Sequence, residues 1–510
     1  MFYGKQAVIL RSVKEKTSYA IPLADRASSG FLWLLIQTFS SKISGLVGQL
    51  ILARLLAPHD YGLVALAYSV AVIPRLLRDN GLLQVLIGKQ RLFDRWVSSV
   101  FWFDFLLGSV ATIILVIAAP FFAAYFHQPQ LRGLTLLVAS GTLVNALSTV
   151  PFAKLYLRLE FKKIAVAGFC YNVGVMLTSI TFAWLGFGAY SLLIPLPLLS
   201  AVRLAMLWYW APSRIRPRLG LLRWRHLAID AFPLAASVLI RLVQDALPSL
   251  LLAHLRSVVA AGIYYFGYNL ASQALQIMGF NLTQVLLPVL SGLKDDPPRQ
   301  AMAFLRVLRL TVFVSVPACA VTAILARPAV VIVFGPRWAA AAEVLAVLSI
   351  GTPFLIIVGP LMSFLQARQR YNLSLILSAG TLLVALPLIF FGAYLQGPLL
   401  VAVGVVVQNT ITGPLLLYLS VRDCGVGWRE VMAVFIPSLP LAALAVLPII
   451  GADHLWPVLA QHGAANVALG TLTIFAVYLG LATKICHNES TEFWTRLRGL
   501  ARRFGLPLAK

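Results

Sequence analysis

Charge, acidic charge above all, is what this chain has least of. Of its 510 residues only 11% are charged, and 17 Asp and Glu stand against 41 Lys and Arg, for a net charge of +24. A soluble globular chain carries about 25% charged residues. Cysteine is equally sparse. Cys170, Cys319, Cys424 and Cys486 share no metal or redox spacing, and three lie in or beside apolar runs, so neither a disulfide framework nor a metal site is expected. The seven histidines are scattered, and no HExxH, GxSxG, GxxxxGK[ST] or DxD pattern occurs. These absences argue against a zinc protease, a serine hydrolase and a pump driven by its own ATP hydrolysis. No cofactor is expected.

What the chain does have is apolar length. Sixty per cent of it is hydrophobic, and its mean hydropathy is +0.88. A single soluble core stops growing near ~250–300 residues and could not hide that much apolar surface. The expected class is all-α and polytopic, because a ~30 Å hydrocarbon core needs about 20 apolar residues per helix. Fourteen such runs are predicted, at 31–51, 63–87, 97–121, 133–153, 164–185, 190–210, 231–253, 260–283, 303–325, 341–363, 372–394, 398–419, 431–451 and 464–484.

The basic residues check that reading. With the N-terminus inside, alternate loops hold Lys89, Arg91 and Arg95, then Lys154, Arg158, Lys162 and Lys163, then Arg214, Arg216, Arg218, Arg223 and Arg225. The same face continues with Lys294, Arg299, Arg306 and Arg309, with Arg368 and Arg370, and with Arg422 and Arg429. The opposite loops hold only Arg54, Arg132, Arg256, Arg327 and Arg337. A bias that alternates loop by loop fixes orientation and parity. It also accounts for the high net charge without nucleic acid.

No loop is long enough to fold as a domain. The expected organisation is a basic cytoplasmic tail (1–30), an N-lobe of helices 1–6 (31–210), a basic linker (211–230) and a C-lobe of helices 7–12 (231–419). A helix pair (431–484) and a second basic tail (485–510) follow. The lobes echo each other at an offset of 200: Leu52, Ala53, Leu55, Gly62, Tyr68 and Ala71 match Leu252, Ala253, Leu255, Gly262, Tyr268 and Ala271. Ala118, Pro120 and Phe126 return as Ala326, Pro328 and Phe334. Six helices separate the copies, which predicts a parallel repeat about an axis along the membrane normal and a cavity between the bundles.

An ionisable group at mid-membrane costs at least ~2.5–3.5 kcal/mol and is a functional candidate by default. Here these are Lys42 in helix 1, Arg75 and the Arg78–Asp79 pair in helix 2, Asp104 in helix 3, and Arg241 with Asp245 in helix 7. Arg241 and Asp245 are four apart, share a helical face, and read either as a structural ion pair or as cavity groups. Arg78 either neutralises Asp79 or snorkels to the headgroups. Lys42 and Arg75 have no acid within one turn of their own helices, and are expected to line an aqueous cavity. Such a cavity suits an anion, and a phosphate or pyrophosphate headgroup is the membrane's own supply. Tyr264, Tyr265 and Tyr268, beside Phe266, are candidates for stacking on sugars or, equally, for interfacial anchors.

The residues then show a specific likeness. The run Leu52-Ala53-Arg54-Leu55-Leu56-Ala57-Pro58-His59-Asp60-Tyr61-Gly62-Leu63-Val64-Ala65-Leu66-Ala67, followed by Asp79-Asn80-Gly81-Leu82, resembles the signature between helices 1 and 2 of bacterial polysaccharide transporters. Phe101-Trp102, Ala119-Pro120, Phe161-Lys162-Lys163, Gly186-Phe187-Gly188, Gly262-Ile263-Tyr264-Tyr265, Pro288 and Phe334-Gly335-Pro336-Arg337-Trp338 extend the match in order. The chain thus resembles the Wzx/WzxC-like flippases of the multidrug/oligosaccharidyl-lipid/polysaccharide (MOP) exporter superfamily. The resemblance implies fourteen helices, a bacterial inner-membrane location, and outward flipping of an undecaprenyl-pyrophosphate-linked oligosaccharide, with a glycan polymerase and export machinery as partners. Relatives that flip the peptidoglycan precursor carry cavity arginines on helices 1, 2 and 8. Those positions fall here on Lys42, Arg75 and Tyr268, so the third cation is missing or comes from elsewhere, Arg241 being the nearest substitute.

The expected mechanism is alternating access. Coupling to H⁺ or Na⁺ would use Asp79, Asp104 or Asp245. Two rivals remain: a cation or drug antiporter of the same superfamily, which should show an acidic cavity, and a membrane glycan polymerase or ligase, which needs a large outside loop that this sequence lacks.

Overall fold

The computed structural model describes residues 40–72, 93–213, 221–293 and 295–438, with 33, 37–38, 215–216, 440, 444 and 477–478. Arg75 and Asp79 lie outside them, as do Arg78, both tails and most of the last predicted helix. Among the described residues every regular element is a helix. Eight of these are long and apolar enough to cross a membrane, nine if a bent pair counts as one. They leave Ile117, Phe121, Leu383 and Ile376 about two-thirds exposed. Apolar side chains on the outside of apolar helices are what lipid demands.

The chain divides into two compact units. The first comprises residues 1–57 and 70–235, the second 58–69 and 236–510. A helix over residues 40–55, α1, opens the first unit. It is followed by α2 (Pro58–Val70), whose first twelve residues belong to the second unit. Next come α3 (Phe93–Tyr125), α4 (Gln130–Ala146), α5 (Thr149–Leu157), α6 (Phe161–Trp184), a single turn α7 (Tyr190–Leu193) and α8 (Pro195–Trp210). Here α3 packs on α4, and α8 lies against both α4 and α6.

The fourth predicted span is broken. Helices α4 and α5 meet at 41° around Leu147 and Ser148. The break frees the Leu147 carbonyl, and the Trp208 indole N–H of α8 donates to it at 3.1 Å. A freed backbone acceptor at membrane depth must find such a donor.

The basic segment after α8 is not wholly a linker. Trp102 donates to the Arg216 carbonyl at 3.1 Å, the Arg216 amide donates to Ser98 at 3.0 Å, and Lys154 donates to the Pro212 carbonyl. These contacts tie its start down on the first unit. From Leu221 it is already helix, α9 (Leu221–Leu255), so the second half of the predicted linker (211–230) is the start of a 35-residue helix. Apolar Leu221, Leu222 and Trp224 between the arginines supply the helical content that the charges concealed.

The second unit continues with α10 (Val258–Ser291), α11 (Pro297–Phe334), α12 (Ala339–Leu355), α13 (Val358–Ala367), α14 (Tyr371–Leu395), α15 (Pro398–Val421) and a short α16 (Trp428–Met432). Asp296 starts α11 by accepting from the Arg299 amide at 3.1 Å, ahead of Pro297 and Pro298. Proline is tolerated there because the first N–H groups have no helical partner. Gly335, at φ +102°, stops α11. The helix has 38 residues, about 57 Å at 1.5 Å per residue, longer than the hydrocarbon. The tenth predicted span is also divided, into α12 and α13 at Ile356–Ile357. The core of this unit gathers Phe304, Phe313, Phe364 and Phe435, and Tyr478 donates into it, to the Phe313 carbonyl at 3.0 Å.

Two glycines let α14 and α15 pack as a tight antiparallel pair around the turn at Gly397. A Cβ on Gly392 would lie 2.9 Å from the Leu400 carbonyl oxygen, and one on Gly404 2.8 Å from that of Leu388. Gly404→Val should therefore force the pair apart and cost about 1–3 kcal/mol. The expected outcome is a lower thermal unfolding midpoint for the detergent-purified protein than for Val403→Ala, a change at a partly exposed neighbour.

Candidate functional site

Polar groups inside apolar helices are costly unless they have a use. In the first unit Lys42 is half-buried on α1, thirteen residues before its end at Leu55, which places it about 20 Å along the helix. Long methylene stems let such a side chain reach water while its backbone stays in hydrocarbon. Asp104, on α3, is 2% exposed.

A further cation lies within a span, outside the candidates the sequence singles out. Arg203, on α8, holds its guanidinium 5.9 Å from the Phe152 ring centroid and 5.8 Å from that of Tyr171. Two aromatic faces on neighbouring helices offset part of the cost of a charge at that depth. Its position inside a predicted span was the available signal. The aromatic partners come from α5 and α6, and no local pattern reveals them.

In the second unit the sequence candidates meet across α9 and α10. Asp245 and Arg241 are both exposed, one helical turn apart on α9. The Tyr268 hydroxyl donates to Asp245 Oδ1 at 3.1 Å. On α10 itself Tyr264 and Tyr268 are four residues apart, and their rings stack with centroids 6.1 Å apart and planes 13° from parallel. A carboxylate that accepts a phenolic O–H fixes the ring. The cluster therefore presents one fixed acid, one cation and a ring edge.

The three tyrosines do not share one role. Tyr264 is 2% exposed, so protein occupies its faces, whereas Tyr265 and Tyr268 keep open surface. Phe266 is fully buried, stacked on Trp338 at 3.8 Å. An interfacial anchor would leave that ring wet. Burial alternates along this aromatic run because its residues point to different sides of one helix. Among the described residues no three His, Cys, Asp or Glu side chains gather as a metal site.

A profile of the family described as polysaccharide biosynthesis protein matches residues 51–343, more than half of the chain. The lipopolysaccharide biosynthesis protein WzxC of Escherichia coli (strain K12) is 22% identical, over 82% of this chain and 86% of its own. The teichuronic acid biosynthesis protein TuaB of Bacillus subtilis (strain 168) is also 22% identical, over 87% and 93%. The succinoglycan biosynthesis transport protein ExoT of Rhizobium meliloti (strain 1021) is 27% identical, over 59% and 61%.

In three dimensions, lipid II flippase MurJ in an inward closed conformation superposes with a TM-score of 0.71 at 15% identity, covering 89% of this chain and 98% of that one. An inward-facing multidrug resistance MATE transporter of the MOP superfamily gives 0.54 at 14%, covering 78% and 94%. The likeness read from residues 52–67 is borne out, and the fold is that of multi-pass membrane transporters. The chain belongs to the polysaccharide biosynthesis protein family.

Proposed function

We propose that this protein flips an undecaprenyl-pyrophosphate-linked oligosaccharide, a repeat unit of exopolysaccharide, O-antigen or capsule, from the cytoplasmic to the outer leaflet of a bacterial inner membrane. The observation that carries this reading is the family match over residues 51–343, in a chain whose first helix holds a lysine well inside an apolar run. Relatives named for lipopolysaccharide and succinoglycan biosynthesis support it, as does a fold shared with a lipid II flippase.

In this mechanism two lobes, each a copy of one repeat, alternate access around Lys42 and Arg75. The pyrophosphate binds these cations, Arg241 supplies a third, and the glycan fills the cavity. The polyprenyl tail stays in the bilayer. Fourteen helices with both termini cytoplasmic place the basic loops inside. Moving an anion outward from a negative interior is favourable by ~2.3 kcal/mol per charge per 100 mV. The potential thus biases transport outward, with Asp79, Asp104 or Asp245 as the sites for H⁺ or Na⁺ coupling. A glycan polymerase and the export machinery would receive the product.

The antiporter alternative is favoured by the MATE-like fold and by the Asp104 carboxyl buried in α3. It predicts drug efflux and no effect on surface glycan.

Lys42→Ala and Arg75→Ala should each reduce surface glycan at least tenfold in a deletion strain, with unchanged protein in the membrane fraction. Normal export by both variants would contradict the cavity assignment. A second expectation concerns coupling in the C-lobe. If Asp245 works through its bond to the phenol, Tyr268→Phe should slow export severalfold in the parent and have no further effect in Asp245→Asn. Additive losses in the double variant would separate the two residues.

A further inference from the structure

The second unit contains a helix crossing with an unusual symmetry. A Cβ on Gly62 would lie 2.0 Å from the Val258 carbonyl oxygen, and a Cβ on Gly262 would lie 1.8 Å from the Pro58 carbonyl oxygen. Each glycine thus faces the carbonyl four residues before its counterpart, and both pairs are related by the offset of 200 seen in the sequence. Backbones this close tolerate no side chain at either position. The gain is a reciprocal pair of Cα–H···O contacts, each weak.

Beside the crossing sits an aromatic wedge. Tyr61, on α2, meets Phe266 edge-on at 5.2 Å and Trp338 edge-on at 5.1 Å, while Phe334 closes on Phe266 at 5.3 Å. Tyr61 is 5% exposed, and Phe266 and Trp338 are not exposed at all. The Tyr61 hydroxyl is buried and hydrogen-bonds to none of the described residues. A buried phenol without a partner penalises the state that contains it.

Residues 58–69 belong to the second unit, although the residues on both sides of them, up to 57 and from 70, belong to the first.

We propose that the Gly62–Gly262 crossing with its Tyr61 wedge is a releasable latch. It is held in this state, and it lets go when the transporter opens to the outer side. The latch rests on the alternating-access reading above and on the loop charges that place the α1–α2 and α9–α10 turns outside. The unsatisfied hydroxyl is its spring: release gives the phenol water, so the closed state is kept shallow enough to leave. A permanent structural contact would gain from phenylalanine at position 61.

The test uses the full-length chain in its membrane, with the native cysteines replaced by alanine. Ala261→Cys serves as reporter, because Ala261 is fully buried next to Gly262. A membrane-impermeant maleimide is added to intact cells and, separately, to inverted vesicles. Gly62→Ala, whose methyl meets a carbonyl, should raise the labelling rate from outside at least fivefold. Tyr61→Phe, which removes the orphan hydroxyl, should lower it by about tenfold. Unchanged rates in both variants would overturn the latch, and so would reaction only in inverted vesicles. The flippase reading is scored independently of these rates, by surface glycan in a strain lacking the gene: full export there removes the cargo assignment without touching the labelling result.

Discussion

Hydrocarbon offers no hydrogen bonds, and that constraint organises the molecule. Every backbone group at membrane depth must be satisfied by the chain itself, which leaves helices as the element and forces exceptions to bring their own donors. The break between α4 and α5 shows the rule at work, since the Leu147 carbonyl it frees is taken at once by Trp208. The same pressure explains why the outside of each span is apolar and exposed, and why the few charged side chains within spans are held by aromatic faces, as Arg203 is, or by hydroxyl donors, as Asp245 is.

Without a hydrophobic drive between helices in lipid, close packing has to supply the cohesion. Glycine does this in two distinct ways here. At Gly392 and Gly404 it lets consecutive helices of one hairpin settle together. At Gly62 and Gly262 it lets helices far apart in sequence touch backbone to backbone, with an aromatic wedge that carries an unsatisfied hydroxyl. The first contact is joined by a short turn and has no reason to part. The second is between elements that a transport cycle would move, and its internal penalty matches a contact meant to be broken.

Much of this architecture was legible in the sequence because its determinants are local. Apolar runs of spanning length point to a helix at each described span, although α9 and α11 run well beyond the runs that mark them, and the signature at 52–67 points to the family. What escaped was whatever depends on distant residues. The bend at Ser148 follows from Pro151, which has no N–H for the Leu147 carbonyl, but the donor that replaces it, Trp208, lies 61 residues away. The helix from Leu221 was hidden under five arginines that read as linker. Tyr264 and Phe266 read equally as a stacking surface or as interfacial anchors, and only the contacts of α2 and the Trp338 turn show the latter ring covered. Gly62 and Gly262 were visible as a repeat, but not as two halves of one contact. Arg75 and Asp79 rest on the sequence alone, whereas Lys42 is in place on an apolar helix with its side chain half-buried.

The central claim is that a cargo with an anionic headgroup crosses the bilayer through this protein, and reconstitution tests it most directly. Vesicles containing the purified chain are loaded on the inner leaflet with a fluorescent polyprenyl-pyrophosphate-linked oligosaccharide, and a glycosidase is added outside. The account predicts cleavage that reaches the inner-leaflet pool within minutes, is absent from protein-free vesicles, and is lost when the same lipid carries a neutral linkage in place of pyrophosphate. Equal cleavage of the neutral analogue, or a protected inner pool in the presence of active protein, would contradict it.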